Sequence, residues 1–226
     1  MRTQLPVGAR VCDCRREGDG IRFIAVTGGP GAGKTAVLEL ALRALCHHVA
    51  IVPEAASIVF GGGFPRRNTD AGGRAAQRAI FHVQRELEAL AAAEPALAVA
   101  LCDRGTVDGV AYWPGPPDTF WPEVGTTREA ELARYAAVVH LRTPGADEGY
   151  NHRNALRTES AEQARAIDER ILAAWEGHPN RIVIPSSRDF FAKATRAIDA
   201  LRAQLPAGCR DAVARLTAAP AQSSAD

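Results

Sequence analysis

The sequence lacks three features that would each assign it to a familiar class of protein. It has no surplus of positive charge, because 27 Lys and Arg residues face 26 Asp and Glu residues and give a formal charge of +1. Proteins that grip a nucleic-acid backbone usually carry a basic surplus, so a long nucleic acid is a disfavoured partner. No apolar run approaches the roughly 18 residues that span a bilayer, and residues 1–20 lack the apolar segment of a signal peptide. We therefore expect no association with a membrane.

The cysteines follow no recognisable spacing. There are five of them, an odd number without a disulfide or zinc pattern, and the Cys12–Cys14 pair has nothing nearby that completes a metal site. The remaining three are Cys46, Cys102 and Cys209. We expect ordinary reduced thiols and a cytoplasmic protein.

Short apolar runs alternate with segments of helical periodicity along most of the chain. The apolar runs cover residues 21–27, 49–52, 96–102, 136–141 and 181–184, and the helical patterns cover 33–46, 73–93, 128–134, 160–175 and 189–205. The runs are continuous rather than alternating, as in strands buried on both faces. The sequence therefore predicts an α/β protein of three layers, with a mostly parallel five-stranded sheet and helices on both faces.

The ends of the chain and two internal segments do not fit this alternation. We predict a flexible arm over residues 1–20, one domain over 21–205 and a low-complexity tail over 206–226, with a short helical piece near 210–216. Residues 61–73 and 112–127 are rich in glycine or proline and carry aromatic and arginine side chains. Long irregular segments in compact domains are commonly functional, so we expect ordered loops that face a ligand.

The clearest motif lies between the first apolar run and the first helical pattern. It reads Gly28, Gly29, Pro30, Gly31, Ala32, Gly33, Lys34 and Thr35, which matches G-x-x-x-x-G-K-[ST] in full. In this P-loop, or Walker A motif, the glycines let successive N–H groups point at phosphates, and the helix adds its positive dipole end. Lys34 can bridge the β- and γ-phosphates, and the Thr35 hydroxyl can bind Mg²⁺. The motif predicts binding of ATP with Mg²⁺.

Charged residues follow the second and third apolar runs. Asp103 and Arg104 come directly after one run, and Glu54 follows the other. Ligands gather at the carboxyl ends of parallel strands, so Asp103 is a candidate Mg²⁺ ligand, directly or through water. Arg104 can face the phosphates or form a structural ion pair. Glu54 suits a general base for an acceptor hydroxyl. Its alternative roles are solvation of the surface or a charge at the start of a helix.

Two arginines follow the fourth apolar run. Arg153 and Arg157 are four residues apart, ahead of a capping box formed by Ser160 and Gln163. If the segment is helical, both arginines lie on one face, where they can stabilise the charge of a phosphoryl group in transfer. The alternative is a solvated helix face.

Together these segments resemble a known family. The chain is similar to the small AAA-type ATPase domains related to the ribosylnicotinamide-kinase domain of the bacterial NAD regulator, and more distantly to deoxynucleoside and thymidylate kinases. The resemblance covers residues 21–205. It implies that Glu54, Asp103 and Arg104 face the acceptor and the metal, that the region of Arg153 and Arg157 is a lid, and that residues 185–189, with Ser187, hold the nucleotide base.

Three functions are compatible with these features. The first is an ATP-dependent kinase that acts on a nucleoside-like or other small metabolite, as a monomer or a homodimer. The second is a nucleotide-dependent switch or an ATPase or GTPase without an acceptor, although no NKxD-like guanine motif is present. The third is a polynucleotide end-kinase, which the neutral charge disfavours and the cluster of Arg66, Arg67, Arg74 and Arg78 keeps open.

Overall fold

The computed structural model describes residues 20–145 and 160–218. In chain order the strands are β1 (Arg22–Thr27), β2 (Val49–Val52), β3 (Val99–Asp103), β4 (Tyr135–Leu141) and β5 (Arg181–Ile184). The α-helices are α1 (Lys34–Ala44), α2 (Ala55–Gly61), α3 (Asp70–Ala92), α4 (Phe120–Glu123), α5 (Arg128–Ala133), α6 (Ala161–Ala174), α7 (Phe190–Ala203) and α8 (Ala207–Ala218). Two 3₁₀ helices cover Thr106–Tyr112 and Pro117–Thr119. All five predicted strands are present.

The sheet is parallel throughout, with the strand order β2-β3-β1-β4-β5. Both of its faces are covered. Ile24 and Val26 of β1 belong to one apolar cluster, with residues of α1, α7 and α8, whereas Ala25 belongs to a second cluster with residues of α3 and α6. The predicted three-layer α/β fold is therefore confirmed.

The strand order determines where a ligand can bind. The chain leaves β1 toward β2 and β3 on one side of the sheet and later reaches β4 and β5 on the other side. In open α/β sheets this reversal creates a crevice at the carboxyl ends of the central strands. The carboxyl ends of β1, β2 and β3 therefore lie at one edge of the sheet, where their last residues are Thr27, Val52 and Asp103. The P-loop motif starts at this edge.

The segment 112–127 is ordered, but its large side chains do not face a ligand. Trp113, Phe120 and Trp121 are buried, and Phe120 makes edge-to-face contacts with both tryptophans at centroid distances of 5.2 and 5.1 Å. The Trp113 indole N–H donates to Thr119 Oγ1 at 2.9 Å. The expectation of a ligand-facing loop is wrong for these rings, because they form part of the apolar cluster beneath α3 and α6.

Helix ends explain most differences from the predicted boundaries. The Thr69 side chain accepts a hydrogen bond from Gly72 N, so α3 begins three residues earlier than predicted. The predicted capping box of Ser160 and Gln163 is present at the start of α6. In the tail, α8 begins just beyond residue 205 and buries Cys209 and Val213 in the core. Within the described ranges, no helix is long and apolar enough to cross a membrane.

Candidate active site

The P-loop motif connects the end of β1 to the start of α1. Gly28 has a φ of 134°, a backbone conformation that residues with side chains rarely adopt. A Cβ on Gly28 would also lie 2.1 Å from the main-chain oxygen of Leu141 at the end of β4. Gly28 is therefore required twice, once for its backbone angle and once for the close approach of β4.

The Lys34 ammonium group lies inside the loop. Its Nζ donates to the main-chain oxygens of Gly28 at 3.0 Å and Gly29 at 3.3 Å, and the residue is buried. Burial, followed by the positive charge of Arg104, lowers the pKa of Lys34 to about 8, although nearby carboxylates act in the opposite direction. A phosphate anion in the loop would supply the negative charge that favours the protonated amine.

Thr35 and Asp103 form a site whose chemistry fits Mg²⁺. The Thr35 hydroxyl donates to Asp103 Oδ2 at 3.3 Å. The other carboxylate oxygen of Asp103, Oδ1, is buried and has no hydrogen-bond partner among the described residues. Burial raises the pKa of Asp103, because it outweighs the opposing effect of Lys34. A hydroxyl beside a buried carboxylate oxygen is a donor set that Mg²⁺ accepts, with water completing its shell.

Glu54 and Arg104 form an ion pair beside this site. Arg104 Nε donates to Glu54 Oε1 at 2.8 Å, and Arg104 Nη1 donates to the Gly28 main-chain oxygen at 3.3 Å. Burial alone would raise the pKa of Glu54, but Arg104 and the Ser57 hydroxyl lower it below its ordinary value. The Glu54 side chain is still 28% exposed. It is thus an ionised carboxylate that solvent, and hence a substrate, can reach.

Asp108 holds Arg104 in place, a role that the sequence did not suggest. Its Oδ2 accepts from Thr27 Oγ1 at 2.6 Å and from Arg104 Nη1 at 3.3 Å, and its Oδ1 accepts from the Trp175 indole N–H at 2.6 Å. Arg104 has a φ of 75°, the one positive φ of a non-glycine residue in the part of the chain that the structure describes. Such backbone strain persists only where surrounding contacts impose it, and Asp108 with Glu54 supplies these contacts.

A second unpredicted carboxylate, Asp168 of α6, supports the loop from the other side. Its Oδ1 accepts from Gly29 N at 2.8 Å and contacts His140 Nε2 at 2.9 Å. Its Oδ2 accepts from Thr143 N at 3.3 Å and pairs with Arg142 Nε at 2.9 Å. Burial opposes ionisation, but the His140 and Gly29 contacts and the Arg142 charge lower the pKa of Asp168 below its ordinary value. Asp168 is therefore an anion, and it holds the first turn of the P-loop in place.

The start of α7 contacts the end of the P-loop. Lys193 Nζ donates to the main-chain oxygens of Ala32 at 2.9 Å and Arg142 at 2.6 Å. Just before α7, Ser187 Oγ accepts from Asp189 N at 3.2 Å, and Asp189 in turn caps the helix. The segment that carries Ser187 thus leads into a helix that is attached to the P-loop.

Most of the predicted site residues come together at one edge of the sheet. The group comprises Gly28, Gly29, Pro30, Gly31, Ala32, Gly33, Lys34, Thr35, Glu54, Asp103 and Arg104, with Ser187 on the segment that leads to α7. Arg153 and Arg157 lie outside the described residues, so their role stays a prediction.

The residues that sequence reasoning missed carried one weak signal. His140 is polar in an apolar strand, and Asp168 shares a helix face with the buried Ala164 and Ile171. A charged residue on the apolar face of a helix is rarely buried without a partner. That rule predicts that Asp168 has a partner, but it does not identify the P-loop as that partner.

The strand order, the P-loop and the acids at the strand ends define the class of the protein: the P-loop kinases and NTPases. The family can be stated more narrowly. The AAA domain family matches residues 23–193, and the chain belongs to it.

Solved structures with the same fold include kinases. The chain is similar to NadR in complex with NR, with a TM-score of 0.59 at 16% identity over 82% of this chain and 51% of that chain. It matches NadR in complex with NAD and AMP-PNP with a TM-score of 0.55 at 16% identity, over 81% of this chain and 49% of that chain. For thymidylate kinase from Candida albicans the TM-score is 0.53 at 12% identity, over 83% of this chain and 93% of that chain.

The extent of these matches limits what they show. The chain spans about half the length of the two NadR structures. No curated protein matches the sequence significantly. At such low identities the similarity to these kinases shows the fold, and the expected relation to the NadR and thymidylate kinase folds is confirmed.

Proposed function

We propose that this protein is an ATP-dependent kinase that transfers the γ-phosphate to a hydroxyl of a nucleoside-like or other small metabolite. Its catalytic domain in this proposal spans residues 21–205, and it works in the cytoplasm as a monomer or a homodimer. The observation that carries the proposal is the Glu54–Arg104 pair, an ionised and accessible carboxylate attached through Arg104 to the first carbonyl of the P-loop.

The donor side of the reaction is assigned to the P-loop. In this proposal the main-chain N–H groups of residues 28–35 bind the triphosphate, and Lys34 moves from its loop carbonyls to the β- and γ-phosphates. Thr35 and Asp103 are the residues that would hold Mg²⁺, which when bound neutralises charge on the phosphate oxygens. Asp168 keeps the loop in shape, since it already accepts the Gly29 N–H.

The acceptor side is assigned to Glu54 and Arg104. An ionised carboxylate can accept a hydrogen bond from an acceptor hydroxyl, orient it toward the γ-phosphate and take its proton during transfer. Arg104 keeps its charge, because Tyr112, Asp108 and Glu54 raise its pKa more than burial lowers it. It therefore holds Glu54 in one position and adds positive charge near the transferred group. Arg153 and Arg157 are proposed to close over the phosphates.

A nucleoside-like acceptor is supported by the compounds named with the structural neighbours. One neighbour is NadR in complex with NR, and another is a thymidylate kinase. A polynucleotide acceptor gains little support from the arginine cluster of the sequence. Arg74 and Arg78 of that cluster lie 3.8 and 2.8 Å from the Glu123 carboxylate, so one of their two positive charges is offset within the protein.

The test combines an acceptor screen with one substitution. Purified protein with Mg²⁺–ATP is incubated with NR, thymidine and a wider set of nucleosides, and phosphorylated product is measured by mass spectrometry alongside ADP. We expect slow ADP release that one acceptor class accelerates. Glu54→Gln should leave AMP-PNP binding nearly intact and lower transfer by roughly 10²–10⁴.

The matched control is Glu39→Gln, the same change on an exposed residue of α1, which should keep full activity. If Glu54→Gln transfers phosphate as fast as Glu39→Gln, Glu54 is not the base. ADP release that no acceptor alters would favour the nucleotide switch or NTPase without an acceptor.

A further inference from the structure

Three potential metal ligands from distant parts of the sequence meet at the end of the sheet opposite to the P-loop. They are Cys46, which follows α1, His48, which precedes β2, and Cys209 of α8. One ligand atom of each, the two sulfurs and a ring nitrogen of His48, lie within 4.8 Å of one another. Both cysteines are buried, and His48 is half-buried. Among the described residues no other group of three His, Cys, Asp or Glu side chains comes this close.

The distances suit a tetrahedral metal ion. Zn²⁺ binds sulfur at about 2.3 Å and nitrogen at about 2.0 Å, which separates tetrahedral ligand atoms by roughly 3.5 Å for a sulfur and a nitrogen and roughly 3.8 Å for two sulfurs. Cys209 Sγ and His48 Nδ1 are 4.0 Å apart, so a contraction of about 0.5 Å brings this pair to the required separation. Two thiols with one imidazole also match the ligand types that select Zn²⁺ over Mg²⁺ or Ca²⁺.

The backbone already holds two of the ligands in position. Val49 N donates to the Cys46 main-chain oxygen at 3.2 Å, which makes residues 46–49 a tight turn. The His48 main-chain oxygen accepts from Ala98 N at 2.9 Å and from Val99 N at 3.2 Å, which attaches the turn to the start of β3. Little ordering of this turn therefore remains to be done when a metal binds.

The third ligand comes from a helix that the rest of the core already contacts. Cys209 and Val213 of α8 belong to the same buried cluster as Cys46 and Leu45.

We propose that Cys46, His48 and Cys209 bind one Zn²⁺ ion, with solvent as the fourth ligand, and that this ion fastens α8 to the start of β2. Binding releases the two thiol protons to the buffer, and the metal then closes a loop between residues 161 positions apart. The site is structural and separate from phosphate transfer, since it lies at the amino ends of the strands whereas the P-loop lies at their carboxyl ends.

Cobalt(II) is the probe, because it replaces Zn²⁺ and reports its ligands by colour. The full chain carries Cys12→Ser and Cys14→Ser, so that these two thiols do not contribute, and is kept reduced and treated with chelator before titration. We expect one Co²⁺ per chain, with the ligand-field absorption of a tetrahedral centre and a thiolate-to-cobalt charge-transfer band. One equivalent of Zn²⁺ should remove both absorption bands and raise the melting temperature of the protein.

Substitutions then identify the ligands. Cys209→Ser and His48→Gln should each lose the Zn²⁺-dependent rise in melting temperature, and Cys209→Ser should also weaken the charge-transfer band. The matched control is Cys102→Ser, which alters a buried thiol of β3 outside the cluster and should retain both signals. An absent charge-transfer band, or the same band and stabilisation in both Cys209→Ser and His48→Gln, would overturn the proposal and leave the cluster as core packing.

Discussion

The buried Lys34 amine makes a prediction about protons that accompany nucleotide binding. In the protein alone its pKa is about 8, because burial and Arg104 disfavour its charge. A bound triphosphate favours that charge and so raises the pKa. Nucleotide binding should therefore take up protons whenever the solution pH is near or above 8. The prediction is tested by changing the pH.

The size of the effect follows from the titration of one group. The neutral fraction of Lys34 is about 0.1 at pH 7, about 0.5 at pH 8 and about 0.9 at pH 9, and binding takes up the same number of protons if the bound amine stays charged. Below pH 7 the amine is already charged, so the affinity for nucleotide is constant. Above pH 8 the amine is increasingly neutral, so this affinity falls. Between pH 7 and pH 9 the Kd should rise about tenfold, or about 1.4 kcal/mol.

Calorimetry measures this uptake directly. Mg²⁺–AMP-PNP is titrated into the protein at pH 8 in Tris and in HEPES, and the difference in observed enthalpy divided by the difference in buffer ionisation enthalpy gives the number of protons. Lys34→Arg is the control, since a guanidinium stays charged and should abolish the uptake. If the unmodified protein binds a full equivalent of nucleotide at pH 8 with no proton uptake, the assigned state of Lys34 is wrong.

Three further substitutions test the frame around the phosphate site. Asp103→Asn should raise the Mg²⁺ concentration that gives half-maximal turnover by roughly 10–100-fold, and an unchanged Mg²⁺ titration would remove Asp103 from the metal site. Asp168→Ala should cost roughly 1–3 kcal/mol of unfolding free energy in urea, because it leaves the Gly29 N–H unpaired; equal stability would refute this. Gly28→Ala should abolish AMP-PNP binding, because its Cβ would lie 2.1 Å from a main-chain oxygen of β4. In contrast, Gly61→Ala, with open space around its Cβ, should bind normally.

The strands and the P-loop could be predicted because their signals are local. A continuous apolar run indicates a strand buried on both faces, whichever strands lie beside it. The run that became β3 is an example, because it is buried at all five positions. The P-loop needs only the strand before it and the helix after it. The helix α2 (Ala55–Gly61) was missed, because seven residues are too few to show a clear helical period.

The support of the site could not be predicted, because it depends on contacts between distant residues. Asp168 and Gly29 are 139 residues apart, and Asp108 and Trp175 are 67 residues apart. The aromatic residues of 112–127 gave a wrong expectation for a related reason. Aromatic content indicates that a segment is ordered, but only the surrounding structure decides whether its rings meet a ligand or the core.

The position of β1 in the sheet has a consequence for how this protein is made. β1 is synthesised first, yet its two neighbours are β3 and β4, whose paired positions begin at residues 99 and 135. Contacts between such distant segments form late, because a long loop must close before they contribute. On the ribosome the P-loop sequence therefore emerges well before the strands that shape it. Asp168, which accepts the Gly29 N–H, comes later still with α6. The contacts that shape the P-loop are therefore complete only after most of the described chain has been made.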